Sequence, residues 1–77
     1  MTKLPLLAAR KVIRALLRLG YSIDHQKGSH IVLKSEDGQR TIVVPDHDEL
    51  DRGTLKAIIK QADIEIDDLL SVLVMLK

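Results

Sequence analysis

The sequence predicts an α+β fold: a helix, three strands and a second helix forming a two-layer sandwich, with an extra helix at the C-terminus. Three observations predict it. Apolar residues recur at helical spacing towards both ends of the chain. Between them lie three short segments with alternating side chains, and turn residues separate those segments. Three consecutive strands joined by short turns form an antiparallel meander, and both main helices can pack on one face of it.

The first helix is expected over residues 6–19. Pro5 suits its first turn, where a missing amide hydrogen costs nothing. Ala9, Val12, Ile13, Leu16 and Leu19 share one broad face, while Arg10, Arg14 and Arg18 recur every four residues on the other side beside Lys11. Gly20 is placed to end the helix in a left-handed cap. The first strand is expected over 21–27, where Tyr21 and Ile23 alternate with Ser22 and Asp24, and Gly28 is the turn. The second strand spans 29–35. Glu36-Asp37-Gly38-Gln39 then carries an Asp-Gly turn signal, and the third strand spans 40–44 and is closed by Pro45. Side-chain alternation makes Ile31, Leu33, Ile42 and Val44 the core set. His30, Val32, Lys34, Thr41 and Val43 fall on the opposite face. After a polar loop, Asp51 is a good N-cap for a helix over 52–62, with Leu55, Ile58, Ile59 and Ala62 as its apolar stripe. The last helix is expected over 67–76, with Asp67 and Asp68 at the positive end of its dipole. This order of elements is also that of the double-stranded-RNA-binding domain, a likeness of fold that does not by itself assign a function.

Seventy-seven residues point to a single domain over 1–77. Such a chain buries about 60% of the surface it exposes when unfolded, so its core must be efficient. With no cysteine there is neither a disulfide nor a thiolate–zinc site. Tyr21 is the only aromatic residue, which argues against RNA modules that stack bases on several rings. The longest apolar run, Leu69 to Leu76, contains Ser71 and is far short of the roughly 20 residues a membrane span needs. Basic residues spread through the N-terminal stretch are unlike a secretory signal, so the expected compartment is cytoplasmic, without membrane association. The net charge of +1 hides an asymmetry. Up to Pro45 there are eight Lys or Arg against three acids, a net of +5; from Asp46 there are four against eight, a net of −4. One half could meet a polyanion while the other keeps clear of it, or both could be ordinary solvated charge.

The chemistry that residue types allow is narrow. His25, His30 and His47 match no common metal-binding spacing, so neither a metal site nor another cofactor is expected. There is no P-loop, dinucleotide-binding fingerprint or nucleophile elbow. What remains is Gln26-Lys27-Gly28-Ser29-His30. A histidine beside a glycine turn, with Lys27 before it and Lys34 after it, can do phosphate chemistry. Imidazole can take a proton from a ribose 2′-hydroxyl or return one to a leaving oxygen, and lysine offsets charge on the phosphorus oxygens. An exposed strand histidine without a role is the other reading of the same residues. Gly28 permits a turn that brings backbone close to a phosphate, or is a plain hairpin glycine. His47, in the loop after the third strand, is a phosphate contact, a second acid, or a loop-stabilising side chain. Gly53-Thr54 opens a helix whose amides attract an anion, and helix initiation explains the pair equally well. The stripe Arg52, Lys56 and Lys60 tracks an RNA backbone or is a solvated helix face; the arginine stripe of the first helix has the same two readings.

Five short motifs stand in order: Leu19-Gly20-Tyr21, Gln26-Lys27-Gly28-Ser29-His30, Val43-Val44-Pro45-Asp46-His47, Arg52-Gly53-Thr54-Leu55-Lys56 and Ile59-Lys60-Gln61-Ala62. Together they make residues 12–68 resemble the HicA, or YcfA-like, toxin family of small ribonucleases paired with HicB antitoxins. The resemblance implies a fold of the double-stranded-RNA-binding type and cleavage of messenger RNA, with the histidine after Gly-Ser, His30, as the catalytic residue. The residues expected to contact RNA or phosphate are then Lys27, Gly28, Ser29, Lys34, His47, Arg52, Lys56 and Lys60. A metal-independent attack by the 2′-hydroxyl would leave a cyclic phosphate, and a HicB-like antitoxin would cover the active face. The chain departs from the family pattern at Asp63, where a glycine commonly ends the helix, and at His25, a place often basic in relatives. Val32, Leu33 and Leu69 replace common aromatics. Two rival readings are a non-catalytic RNA-binding module of the same fold, and a protein-interaction module built on Val32, Val43 and the apolar tail.

Overall fold

A computed structural model describes residues 6–75. Its elements are α1 (Ala9–Arg18), β1 (Tyr21–Lys27), β2 (His30–Ser35), β3 (Thr41–Pro45), α2 (Arg52–Ala62) and α3 (Ile66–Met75). The α+β layout, with a helix, a three-stranded antiparallel sheet and two further helices, is the one the sequence predicts.

Several ends differ from expectation, each for a local reason. The first helix begins at Ala9 rather than at residue 6, because the chain before it is extended and tied to the β3–α2 loop. Leu7 and Leu50 form an antiparallel bridge, with the Leu50 amide donating to the Leu7 carbonyl at 2.7 Å, and the Ala9 amide donates to the carbonyl of His47 at 3.0 Å. The expected role of Pro5 lies outside the described residues. β2 starts at His30 rather than Ser29, because Gly28 and Ser29 are the two turn residues between strands. β3 is shifted one residue onward and includes Pro45, which pairs with His30. α3 starts at Ile66 because the Asp68 carboxylate reaches back to accept from the Glu65 amide at 3.2 Å, one half of a capping box. Its expected end, Leu76, lies outside the described residues.

The sheet order is β1-β2-β3. Leu33, Ile42 and Val44 point into the core and are fully buried, with Ile31 packed at its margin. α1 and α2 cover this face, and α3 packs against α1. α1 contributes Ala9, Val12, Ala15 and Leu16, α2 contributes Leu55 and Ile58, and α3 contributes Leu69. Each large apolar side chain so buried stabilises the fold by about 1.5–3 kcal/mol before the entropy of ordering is counted.

The far end of the sandwich is pinned by polar contacts. The Tyr21 hydroxyl donates to the Ala62 carbonyl at 2.7 Å, and burial raises the phenol's pKa above its ordinary value. Asp63 caps α2 in the left-handed region at φ 54°, the conformation an aspartate tolerates in place of glycine, and its carboxylate lies 3.1 Å from Arg40. Gln61 accepts from the Val43 amide at 3.3 Å and so occupies part of the open edge of β3. These contacts put the C-terminus of α2 at the Tyr21 end of the sheet and its N-terminus at the end where β2 begins.

Candidate functional site

The face of the sheet away from the helices carries two of the three histidines, His25 and His30. Antiparallel partners share a face, so the register fixes its layout. Lys27 stands opposite His30, which in turn pairs with Pro45; His25 is opposite Val32 and then Val43; Ser22 is opposite Lys34 and then Thr41. His30 and Lys27 are exposed. Directly opposed residues of an antiparallel pair have Cβ atoms about 4.5–5.5 Å apart, so a single phosphate can meet both side chains.

This arrangement depends on a β-bulge. The register of β1 against β2 slips between Ile23 and His25, leaving Asp24 as the extra residue. Strict alternation from Tyr21 and Ile23 would carry His25 and Lys27 to the core face. The bulge turns both outward, onto the face of His30. Asp24 stays beside them: its Oδ2 lies 2.6 Å from His25 Nδ1 and 3.9 Å from Lys34 Nζ. The hydrogen bond from His25, with the charge of Lys34 as a smaller effect, holds the Asp24 carboxyl below its ordinary pKa.

The turn between Lys27 and His30 has the II′ pattern, with glycine first: Gly28 takes φ +58°. Gln26 Nε2 donates to the Gly28 carbonyl at 3.1 Å, and the Asp46 amide donates to the Ser29 carbonyl at 2.6 Å. The second bond ties the β3–α2 loop to the hairpin tip. His47 follows in that loop, with its amide bonded to the Pro45 carbonyl at 2.9 Å and its side chain exposed. Lys27, Gly28, Ser29, His30 and the His47 loop therefore meet at one end of the molecule, and Arg52 opens α2 at the same end.

The remaining expected contacts lie elsewhere. Lys34 is on the correct face but four residues along β2, about 13 Å from His30 at the rise of a strand. Lys56 and Lys60 are on the helical layer, and Lys60 is in the last turn of α2, next to the pinned far end. Arg10, Lys11, Arg14 and Arg18 are exposed on α1, also in the helical layer. At Gly53-Thr54, helix initiation is the reading that fits. Asp51 Oδ1 accepts from the Thr54 amide at 2.7 Å, and this bond keeps the Asp51 carboxyl below its ordinary pKa. A carboxylate already occupies the place an anion would take.

Sequence reasoning missed the Asp24–His25 pair, because neighbours on a regular strand point to opposite faces and nothing in Tyr21-Ser22-Ile23-Asp24-His25 announces the bulge. Among the described residues no group of three or more His, Asp or Glu is placed to hold a metal ion. An open pocket of about 340 Å³ lies at the far end, between Gly20, Tyr21, Asp37, Arg40 and Ala62, away from His30. No helix among the described residues is long and apolar enough to cross a membrane.

Compared with known proteins, residues 9–64 match a family model described as the HicA toxin of bacterial toxin–antitoxin systems. The match runs from the start of α1 past the end of α2 and omits α3. No curated protein matches the chain.

Proposed function

Because the chain belongs to the HicA toxin family of bacterial toxin–antitoxin systems, we propose that it is an endoribonuclease that cleaves messenger RNA and is held inactive by a HicB-like antitoxin. The observation that carries this reading is His30 exposed on the helix-free face of the sheet, with Lys27 directly across the hairpin.

In this reading His30 moves a proton as general acid or base during attack of a ribose 2′-hydroxyl on the adjacent phosphate. Lys27 offsets the charge that builds on the phosphorus oxygens. The II′ turn at Gly28-Ser29 brings backbone, rather than bulky side chains, close to the phosphate. His47 and Arg52 contact flanking phosphates at the same end. The mechanism makes no use of Lys34, Lys56 or Lys60. Proton transfer by side chains suffices for this chemistry, which leaves a 2′,3′-cyclic phosphate and a 5′-hydroxyl. A messenger RNA substrate places the protein in the cytoplasm. The antitoxin's seat is the same outer face, where Val43 is 40% exposed beside the half-buried Val32.

The test expresses the wild type and His30→Ala and follows growth and transcript integrity. The variant is expected to lose roughly 10²–10⁴-fold in cleavage rate, the contribution typical of one positioned acid or base. Equal cleavage by the two proteins removes His30 from the mechanism. RNA binding without any turnover would instead support a non-catalytic module of the same fold.

A further inference from the structure

We propose that His25 is a second catalytic residue, acting as the general base opposite His30, and that Asp24 is its positioning residue. The inference deepens the endoribonuclease reading and rests on it. Three observations carry it. The bulge at Asp24 places His25 on the outer face, two positions from Lys27 along β1 and diagonally across from His30 on β2. Diagonal neighbours of an antiparallel pair are about 7–8 Å apart, a span that long side chains bridge and that a phosphate seated over Lys27 would fill. Asp24 Oδ2 lies 2.6 Å from His25 Nδ1.

That contact selects the tautomer. Asp24 is ionised at neutral pH, since its carboxyl titrates below the usual range, and a carboxylate can only accept. Nδ1 must therefore carry the hydrogen, which leaves the Nε2 lone pair of the neutral ring to take a proton. A carboxylate orienting a histidine in this way is the arrangement that prepares imidazole as a base in acyl-transfer triads. The charged and titratable groups facing His25 are Asp24 and Lys27 on its own strand and His30 and Lys34 on β2.

The step balances with two imidazoles. His25 Nε2 takes the proton of the 2′-hydroxyl as the bond from O2′ to phosphorus forms. The bond from phosphorus to O5′ breaks, and O5′ receives a proton from His30. The products are a 2′,3′-cyclic phosphate and a 5′-hydroxyl, and solvent returns each ring to its starting protonation state.

The experiment uses the full chain and a defined RNA, in ordinary form and with sulfur replacing the 5′-bridging oxygen at the mapped site. A thiolate leaves without a proton, so the sulfur substrate needs a base but no acid. On ordinary RNA, His25→Ala and His30→Ala are each expected to lose roughly 10²–10⁴-fold in kcat/KM. On the sulfur substrate His30→Ala recovers to near the wild-type rate and His25→Ala does not. His25→Gln keeps a donor for Asp24 but cannot take a proton, so it is expected to be as slow as the alanine variant. Asp24→Ala is expected to slow both the ordinary and the sulfur substrate, and Asp24→Asn, whose amide oxygen still accepts from Nδ1, to recover part of the loss. A His25→Ala enzyme as fast as wild type, beside an inactive His30→Ala, overturns the inference and leaves the endoribonuclease reading standing. Rescue of His25→Ala by sulfur, or full activity of His25→Gln, also overturns it. A wild type that cleaves no RNA overturns both.

Discussion

At the scale of single residues, two polar groups join secondary structure to titration. Tyr21 is buried, and its hydroxyl reaches the carbonyl that ends α2. Tyr21→Phe removes the donor and leaves that carbonyl short of a partner, which should cost about 1 kcal/mol in urea unfolding. Its pKa is raised above 10.0, so the stability it contributes is fully present below pH 10 and is lost as pH rises through the folded value. The phenylalanine variant should lack that part of the alkaline decline. Asp51 behaves in the opposite sense. Its carboxylate caps α2 through the Thr54 amide and its pKa is depressed below 3.8. Its contribution is present above about pH 4 and disappears as acid protonates it. Asp51→Ala should lower the melting temperature by several degrees at neutral pH, and the difference from wild type should shrink in acid.

Among elements, the β1–β2 hairpin sets the geometry of the candidate site. Gly28 at φ +58° has open space where a Cβ would stand, so only backbone strain opposes a side chain there. Gly28→Ala should destabilise by about 1–2 kcal/mol, because the first position of a II′ turn is a positive-φ conformation that only glycine adopts without strain. Deleting Asp24 is a sharper test of the bulge. With the extra residue gone, Ile23 and His25 follow one another in regular alternation, so His25 and Lys27 stay on the outer face opposite Val32 and His30; the protein should still melt cooperatively, while cleavage falls through loss of the carboxylate beside His25. This is also where reading from sequence stops. The helix over 52–62, the Asp-Gly hairpin and the inward set Leu33, Ile42 and Val44 follow from periodicity and turn chemistry, and His30 follows from the motif around it. The bulge does not, because Ile23 and His25 continue an alternating pattern and only pairing with β2 shows that one residue is extra. The late start of α1 was hidden for a similar reason: Leu7 joins Leu50, a partner 43 positions away, instead of the helix.

For the whole molecule, the division into layers separates two kinds of positive charge. Lys27, beside His30, is on the open face of the sheet, whereas the α1 stripe and Lys56 and Lys60 belong to the helical layer. Cleavage should weaken steeply with added salt if phosphate contacts hold the RNA. Lys27→Ala should reduce the rate more than Lys60→Ala, although both remove one charge. The packing that supports this surface is thin: α3 buries Leu69 fully, while Val74 and Met75 remain 66% and 68% exposed. Leu69→Ala should therefore cost about 2–5 kcal/mol and show in the unfolding midpoint, while changes at Val74 should not. The role proposed for His30 is to move a proton in metal-independent RNA transesterification. Its most direct measurement is cleavage of a defined RNA in chelator by purified wild type and His30→Ala, with the new ends identified and a matched substrate carrying 2′-deoxyribose at the mapped site. The expected result is 2′,3′-cyclic phosphate and 5′-hydroxyl ends from the wild type, no cleavage of the deoxy substrate, and loss of activity in the variant. Cleavage by His30→Ala at the wild-type rate, or cleavage of the deoxy substrate, would contradict it.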